Sequence, residues 1–171
     1  TTEAGILPYY SGWTAFDAWG LNTAQFAERL FQPADVAATH PDGMLIYTGA
    51  KLECTPEENW QTPYTSRTWQ HLTRNMIAGA GTQYELWYVP FGSVRLREAV
   101  GAKSWQGYQE CWFLRRSSPL LHPLQEVLTR HGGLPAAKYF AILRAELAAG
   151  RTPDPLPSIL VNRAEKSNPA I

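Results

Sequence analysis

The sequence predicts an α/β fold: a three-layer sandwich in which a small, mostly parallel sheet is extended by an antiparallel aromatic ribbon and covered by helices on both faces. Three observations predict it. Short apolar runs alternate with segments of helical spacing. Residues 43–49 (GMLIYTG) are apolar at successive positions, which implies cover on both faces of the strand and so a parallel neighbour. Two aromatic-rich segments, 84–91 (YELWYVPF) and 108–115 (YQECWFLR), are natural partners in an antiparallel ribbon.

Taken in order, residues 1–5 suit the end of a strand, and Pro8 opens a turn or short helix over 7–11. Residues 14–19 alternate and are rich in aromatics, which predicts a strand closed by Gly20. Asn22 and Thr23 offer a helix cap, and Ala24, Phe26, Ala27, Leu30 and Phe31 recur at helical spacing before Pro33. Pro33 opens a second short helix that stops near His40-Pro41 and leads into the strand at 43–49. Strand, helix, strand with short joins is the pattern of a right-handed crossover.

Residues 51–66, with Pro56 and Pro63, read as a long excursion loop. A helix is predicted over 68–78, ended by Gly79 and Gly81, with a further short helix at 93–100. Pro90 either ends the strand at 84–91 or confines it to an edge. Amphipathic helices follow over 120–130 and 136–149, separated by Gly132-Gly133. Residues 1–150 therefore form one domain, and 151–171, with Pro153, Pro155 and Pro157, form an extended C-terminal arm.

Composition narrows the function classes. The 171 residues are enough to bury roughly 70% of the unfolded surface around one core. Fifteen basic residues balance fifteen acidic ones, and no basic cluster exceeds Arg115-Arg116, so nucleic acid is set aside as a partner. Seven tryptophans are a heavy aromatic load, suited to a core, a carbohydrate or apolar cleft, or a membrane interface. No apolar run is long enough to span a bilayer. Cys54 and Cys111 match no metal or redox spacing, leaving two buried thiols or one disulfide. The histidines (His40, His71, His122, His131) are scattered, and neither a metal site nor a cofactor is expected.

No catalytic motif emerges. Tyr10-Ser11-Gly12 lacks the first glycine of a nucleophile elbow, and Gly79-Ala80-Gly81 follows a helix where a phosphate cradle would precede one. Asp35, Glu57 and Glu58 are most simply solvated loop acids. Asp17 stands out because it lies among apolar residues, where an ionised carboxylate needs hydrogen bonds or a partner. It is either a brace accepting backbone N–H groups near Tyr9 or Asn22, or a ligand contact. Tyr9, Tyr10, Trp13 and Trp19 likewise admit core packing or a sugar-stacking or lipid-facing platform. A self-standing hydrolase or transferase using Asp17 with His40 or His71, and a purely structural partner-docking domain, are the alternatives.

The order Thr2-Glu3-Ala4-Gly5, then Pro8-Tyr9-Tyr10-Ser11, then Phe16-Asp17-Ala18-Trp19-Gly20-Leu21-Asn22-Thr23 and His40-Pro41-Asp42 before an apolar strand resembles the soluble C-terminal region of bacterial polytopic GT-C type membrane glycosyltransferases of the mannosyl- and arabinofuranosyltransferase-like kind. The resemblance covers about the first quarter of the chain. It implies an extracytoplasmic domain on the outer face of the bacterial inner membrane, partnered by the transmembrane part of the same polypeptide. That transmembrane part would carry the catalytic acid, so no residue here is expected to be catalytic. A glycan or polyprenyl-phosphate sugar becomes the expected ligand, with Tyr9, Tyr10, Trp13, Asp17, Trp19 and Asn22 as candidate contacts. A start without methionine and a disulfide-permissive cysteine pair fit such a domain.

Overall fold

The computed structural model describes residues 12–18, 23–48, 54, 67–90 and 109–149. Four strands form one sheet in the order β1-β3-β2-β4: β1 (Gly43–Thr48), β2 (Tyr84–Pro90), β3 (Gln109–Arg115) and the two-residue β4 (Leu134–Pro135). Among the described residues five α-helices accompany it: α1 (Ala24–Ala27), α2 (Pro33–Thr39), α3 (Arg67–Ala80), α4 (Leu121–Arg130) and α5 (Ala136–Ala148).

The sheet is antiparallel, not mostly parallel. β3 runs between β1 and β2, pairing Met44 with Phe113 on one side and Leu86 with Phe113 on the other. The aromatic ribbon of β2 and β3 forms as its composition predicts, but β1 joins that ribbon in place of a parallel neighbour. The predicted strand at 14–19 is irregular through Asp17 and turns at Ala18, so the crossover inferred from it is missing. Burial on both faces, the reason for expecting a parallel β1, follows equally well from an antiparallel sheet sandwiched between helices.

Alternation sorts the strand residues onto two faces. Met44, Ile46, Leu86, Tyr88, Cys111 and Phe113 face a core completed by Val36, Leu72, Met76, Ile77, Ala80 and Tyr139, so α2, α3 and α5 cover this side. Tyr88, fully buried, stacks on Tyr139 at 4.3 Å between ring centroids and meets Phe140 edge-on. Trp87, Val89 and Leu114 point the other way and pack beneath Leu124 and Leu128 of α4.

Local chemistry explains the helix ends. Pro33 occupies the first turn of α2, and the Asp35 carboxylate accepts the Gln32 backbone N–H at 2.7 Å, closing a capping box. Thr23 sits at the N-cap of α1 without capping it, because its hydroxyl accepts the Asp17 backbone N–H at 2.7 Å. α1 is a single turn, where the spacing had predicted a helix running on to Phe31. At the end of α4, Gly132 is left-handed (φ 79°), its N–H donates to the Thr129 carbonyl, and the Gly133 N–H donates to the Leu128 carbonyl at 2.7 Å. These two bonds make a Schellman motif, which turns the chain into β4.

Gly79 does not end the third helix as predicted but lies inside α3. A β-carbon there would stand 2.5 Å from Val36 Cγ2 and 2.6 Å from the Pro33 carbonyl oxygen, so the missing side chain lets α3 lie against α2. Cys54 and Cys111 form a disulfide, which resolves the two options left by the sequence. It ties the excursion loop to the central strand, on the face covered by α2, α3 and α5. The short segments expected at 1–5, 7–11 and 93–100, the rest of the 51–66 loop and the C-terminal arm lie outside the described residues.

Candidate functional site

A cleft opens beside β1, the edge strand of the sheet. One wall is the N-terminal segment, with Trp13, Thr14, Ala15, Phe16 and Ala18. Gly43, Met44 and Leu45 of β1 line the cleft as well, together with Phe31, Met76, Thr39, Pro41 and Trp112. The cleft encloses ≈ 100 Å³. Residues 13–16 line it without joining the sheet.

Trp13 is 52% exposed, the most exposed large apolar side chain among the described residues, and it stands at the lip of this cleft. Asp17, four residues on, is 2% exposed and does not line the cleft. Its backbone bond to Thr23 fastens the N-terminal segment to the start of α1 and so holds the wall in place. Of the six candidate contacts, Trp13 belongs to the cleft and Asp17 lies behind it. Tyr9, Tyr10, Trp19 and Asn22 lie outside the described residues.

The wall includes residues that local sequence could not nominate. Phe31, Met76 and Trp112 come from the link between α1 and α2, from α3 and from β3, segments remote in sequence, and Met76 and Trp112 each fit the periodicity of their own element. A usable signal was methionine: the chain has two, Met44 and Met76, and both line this cleft.

Polar groups around the cleft are already engaged. The Thr39 hydroxyl donates to the Asp35 carbonyl at 2.7 Å, and the Trp112 indole N–H donates to Glu110 Oε2 at 2.7 Å. Arg29 grips the Asp35 carboxylate through two bonds of 2.6 and 2.7 Å. Those guanidinium bonds hold Asp35 below the usual carboxylate range, against the opposing effect of its burial, and the Gln32 N–H adds to them. Asp42 is lowered in the same way by the Ser118 hydroxyl and by Arg115. Asp35, expected to be a solvated loop acid, is thus a structural anion of α2, and Asp42 is another. A second depression, about 270 Å³, is bordered by Phe26, Glu28, Arg29 and Leu72, but its one cation is the Arg29 already held by Asp35.

His40 and His71, the partners imagined for Asp17 in acid–base chemistry, have exposed side chains at the end of α2 and on α3, whereas Asp17 is buried. Among the described residues no group of three His, Cys, Asp or Glu side chains is placed to hold a metal ion, and no helix is long and apolar enough to cross a membrane.

A family model described as Domain of unknown function (DUF8728) matches residues 1–105, a span that contains the whole cleft except Trp112. No curated protein and no solved structure matches the chain.

Proposed function

The chain belongs to the DUF8728 family, and we propose that it acts as a non-catalytic, extracytoplasmic accessory domain of a membrane glycosyltransferase, contacting the acceptor glycan or its lipid-linked donor at the cleft beside β1. The observation that carries this reading is Trp13, half exposed at the lip of an apolar cleft. An indole presented in this way offers a flat apolar face to a sugar ring while its wall is held by buried contacts. The sequence resemblance supplies the enzyme class. The Cys54–Cys111 disulfide supports the compartment, since such bonds persist where cellular reductants do not reach.

The test is a titration of the domain with oligosaccharides of the mannan and arabinan type, read by tryptophan fluorescence and repeated with Trp13→Ala. A saturable change that disappears in Trp13→Ala is expected. Identical responses in the two proteins, or no response to any envelope sugar, would remove the glycan contact from the proposal.

A further inference from the structure

We infer that the interior of the cleft takes the hydrocarbon chain of an amphiphile and not a sugar ring. This rests on the reading of the cleft as a ligand site and specifies what enters it.

The chemistry of the wall argues for it. None of the described residues lining the cleft carries a formal charge. The two carboxylates that precede its β1 side in sequence, Asp35 and Asp42, are paired with Arg29 and Arg115. Of the polar side chains in the wall, Thr39 and Trp112 have committed their donors to Asp35 and Glu110. The others, on Thr14 and Trp13, sit at the exposed lip. A pyranose inserted into the interior would bury several hydroxyls against Phe16, Phe31, Met44, Leu45 and Met76 without partners for them, which is costly. An alkyl chain makes no such demand.

Size and softness agree. On the scale by which a dry apolar cavity of about 150 Å³ accepts benzene, ≈ 100 Å³ holds a stretch of roughly four carbons. A longer chain would enter by its end and leave its remaining carbons and its head group outside the cleft. Placing both of the chain's methionines in the wall gives it the unbranched, polarizable side chains that repack around ligands of variable shape.

The two methionines also provide the test. With methyl-¹³C-methionine the protein yields two methyl signals, both from the cleft, which can be followed during titration with decyl maltoside kept below its micelle concentration and, in parallel, with maltose. Saturable shifts of both signals with decyl maltoside, and none with maltose, are expected. Ala15→Phe, placed at an exposed position of the wall, should weaken the decyl maltoside response at least tenfold while leaving both methyl signals dispersed as in the folded protein. Shifts as large with maltose would make the interior a sugar site, overturning the inference while sparing the proposed function. Silence of both signals toward decyl maltoside, or an undiminished response in Ala15→Phe, also overturns it. The proposed function is then judged separately by the Trp13-dependent response to envelope oligosaccharides.

Discussion

The two faces of the sheet are built from the same three long strands and yet solve different problems. The face under α2, α3 and α5 carries no carboxylate from β1, β2 or β3 and is closed by aromatic and aliphatic side chains and the disulfide. The face under α4 carries Glu85 and Glu110, each accepting an indole N–H from the tryptophan two residues ahead, Trp87 at 2.6 Å and Trp112 at 2.7 Å. Gln125 of α4 also donates to Glu85, at 2.5 Å. Trp87 and Trp112 stand directly opposite each other in the β2–β3 register, with Glu85 and Glu110 on opposite sides of them, so the two pairs make an acid–indole ladder. One face is held by exclusion of water, and the other tolerates polar groups because each has a local partner. Among the described residues α4 covers the second face, and Trp112, packed against the cluster beneath that helix, also lines the cleft.

If that contrast is right, the largest losses come from the first face. The disulfide closes a sequence separation of 57 residues, for which the loop-entropy model gives on the order of 4 kcal/mol. Reduction, or the double variant Cys54→Ala/Cys111→Ala, should lower the unfolding free energy by that order, whereas Trp87→Phe, which removes one donor from a carboxylate that keeps Gln125 and trims a ring packed beneath Leu124 and Leu128, should cost about 1–2 kcal/mol, both measured by urea denaturation. Equal losses in the two variants would erase the distinction between the faces.

A smaller effect is expected where α3 meets α2 above the first face. Alanine is the better helix former by about 1 kcal/mol in an open helix. At position 79, however, its methyl would collide with Val36 and with the Pro33 carbonyl, and backbone does not yield as a flexible side-chain tip does. Gly79→Ala should therefore destabilise by about 1–3 kcal/mol. Pairing it with Val36→Ala should recover little, because the contact with the Pro33 oxygen remains. A stabilised Gly79→Ala would mean that the two helices are free to separate, and that the first face is less rigidly closed than the second.

The same positions show what could be read from the sequence. β2, β3, α2, α4 and α5 follow from aromatic runs, Pro33 and the Gly132-Gly133 stop, because each of those signals is local. Gly79 misled as a helix terminator, since its role depends on Val36 and Pro33, more than forty residues earlier. β1 was legible as a buried strand, but apolarity on both faces reports cover and not direction, so its antiparallel pairing was not. Trp13 was named from its aromaticity alone, and its exposure beside the cleft is a tertiary property that the sequence does not carry. The rest of the cleft was hidden because Phe31, Met44, Met76 and Trp112 converge only through tertiary structure, and Met44, Met76 and Trp112 each fit the periodicity of their own strand or helix.

The finest test of the contrast is Glu110, because on the second face a carboxylate is tolerated and not preferred. Burial pushes its pKa above the ordinary carboxylate range, more than the Trp112 indole bond and the charge of His131 pull it down. A carboxyl whose pKa is higher in the folded than in the unfolded chain favours folding in its protonated form. Its contribution is therefore fully present below the unfolded value of about 4.3 and is lost as pH rises through the raised folded value. Glu110→Gln keeps an oxygen to accept the Trp112 N–H and removes the ionisation. It should stabilise the protein at pH 7 by roughly 1 kcal/mol or less and leave it nearly unchanged near pH 4, measured by urea denaturation at the two pH values. A loss at pH 7 would show that the ionised Glu110 is a net support of the second face, and that its acid–indole ladder is held by charge as well as by hydrogen bonds.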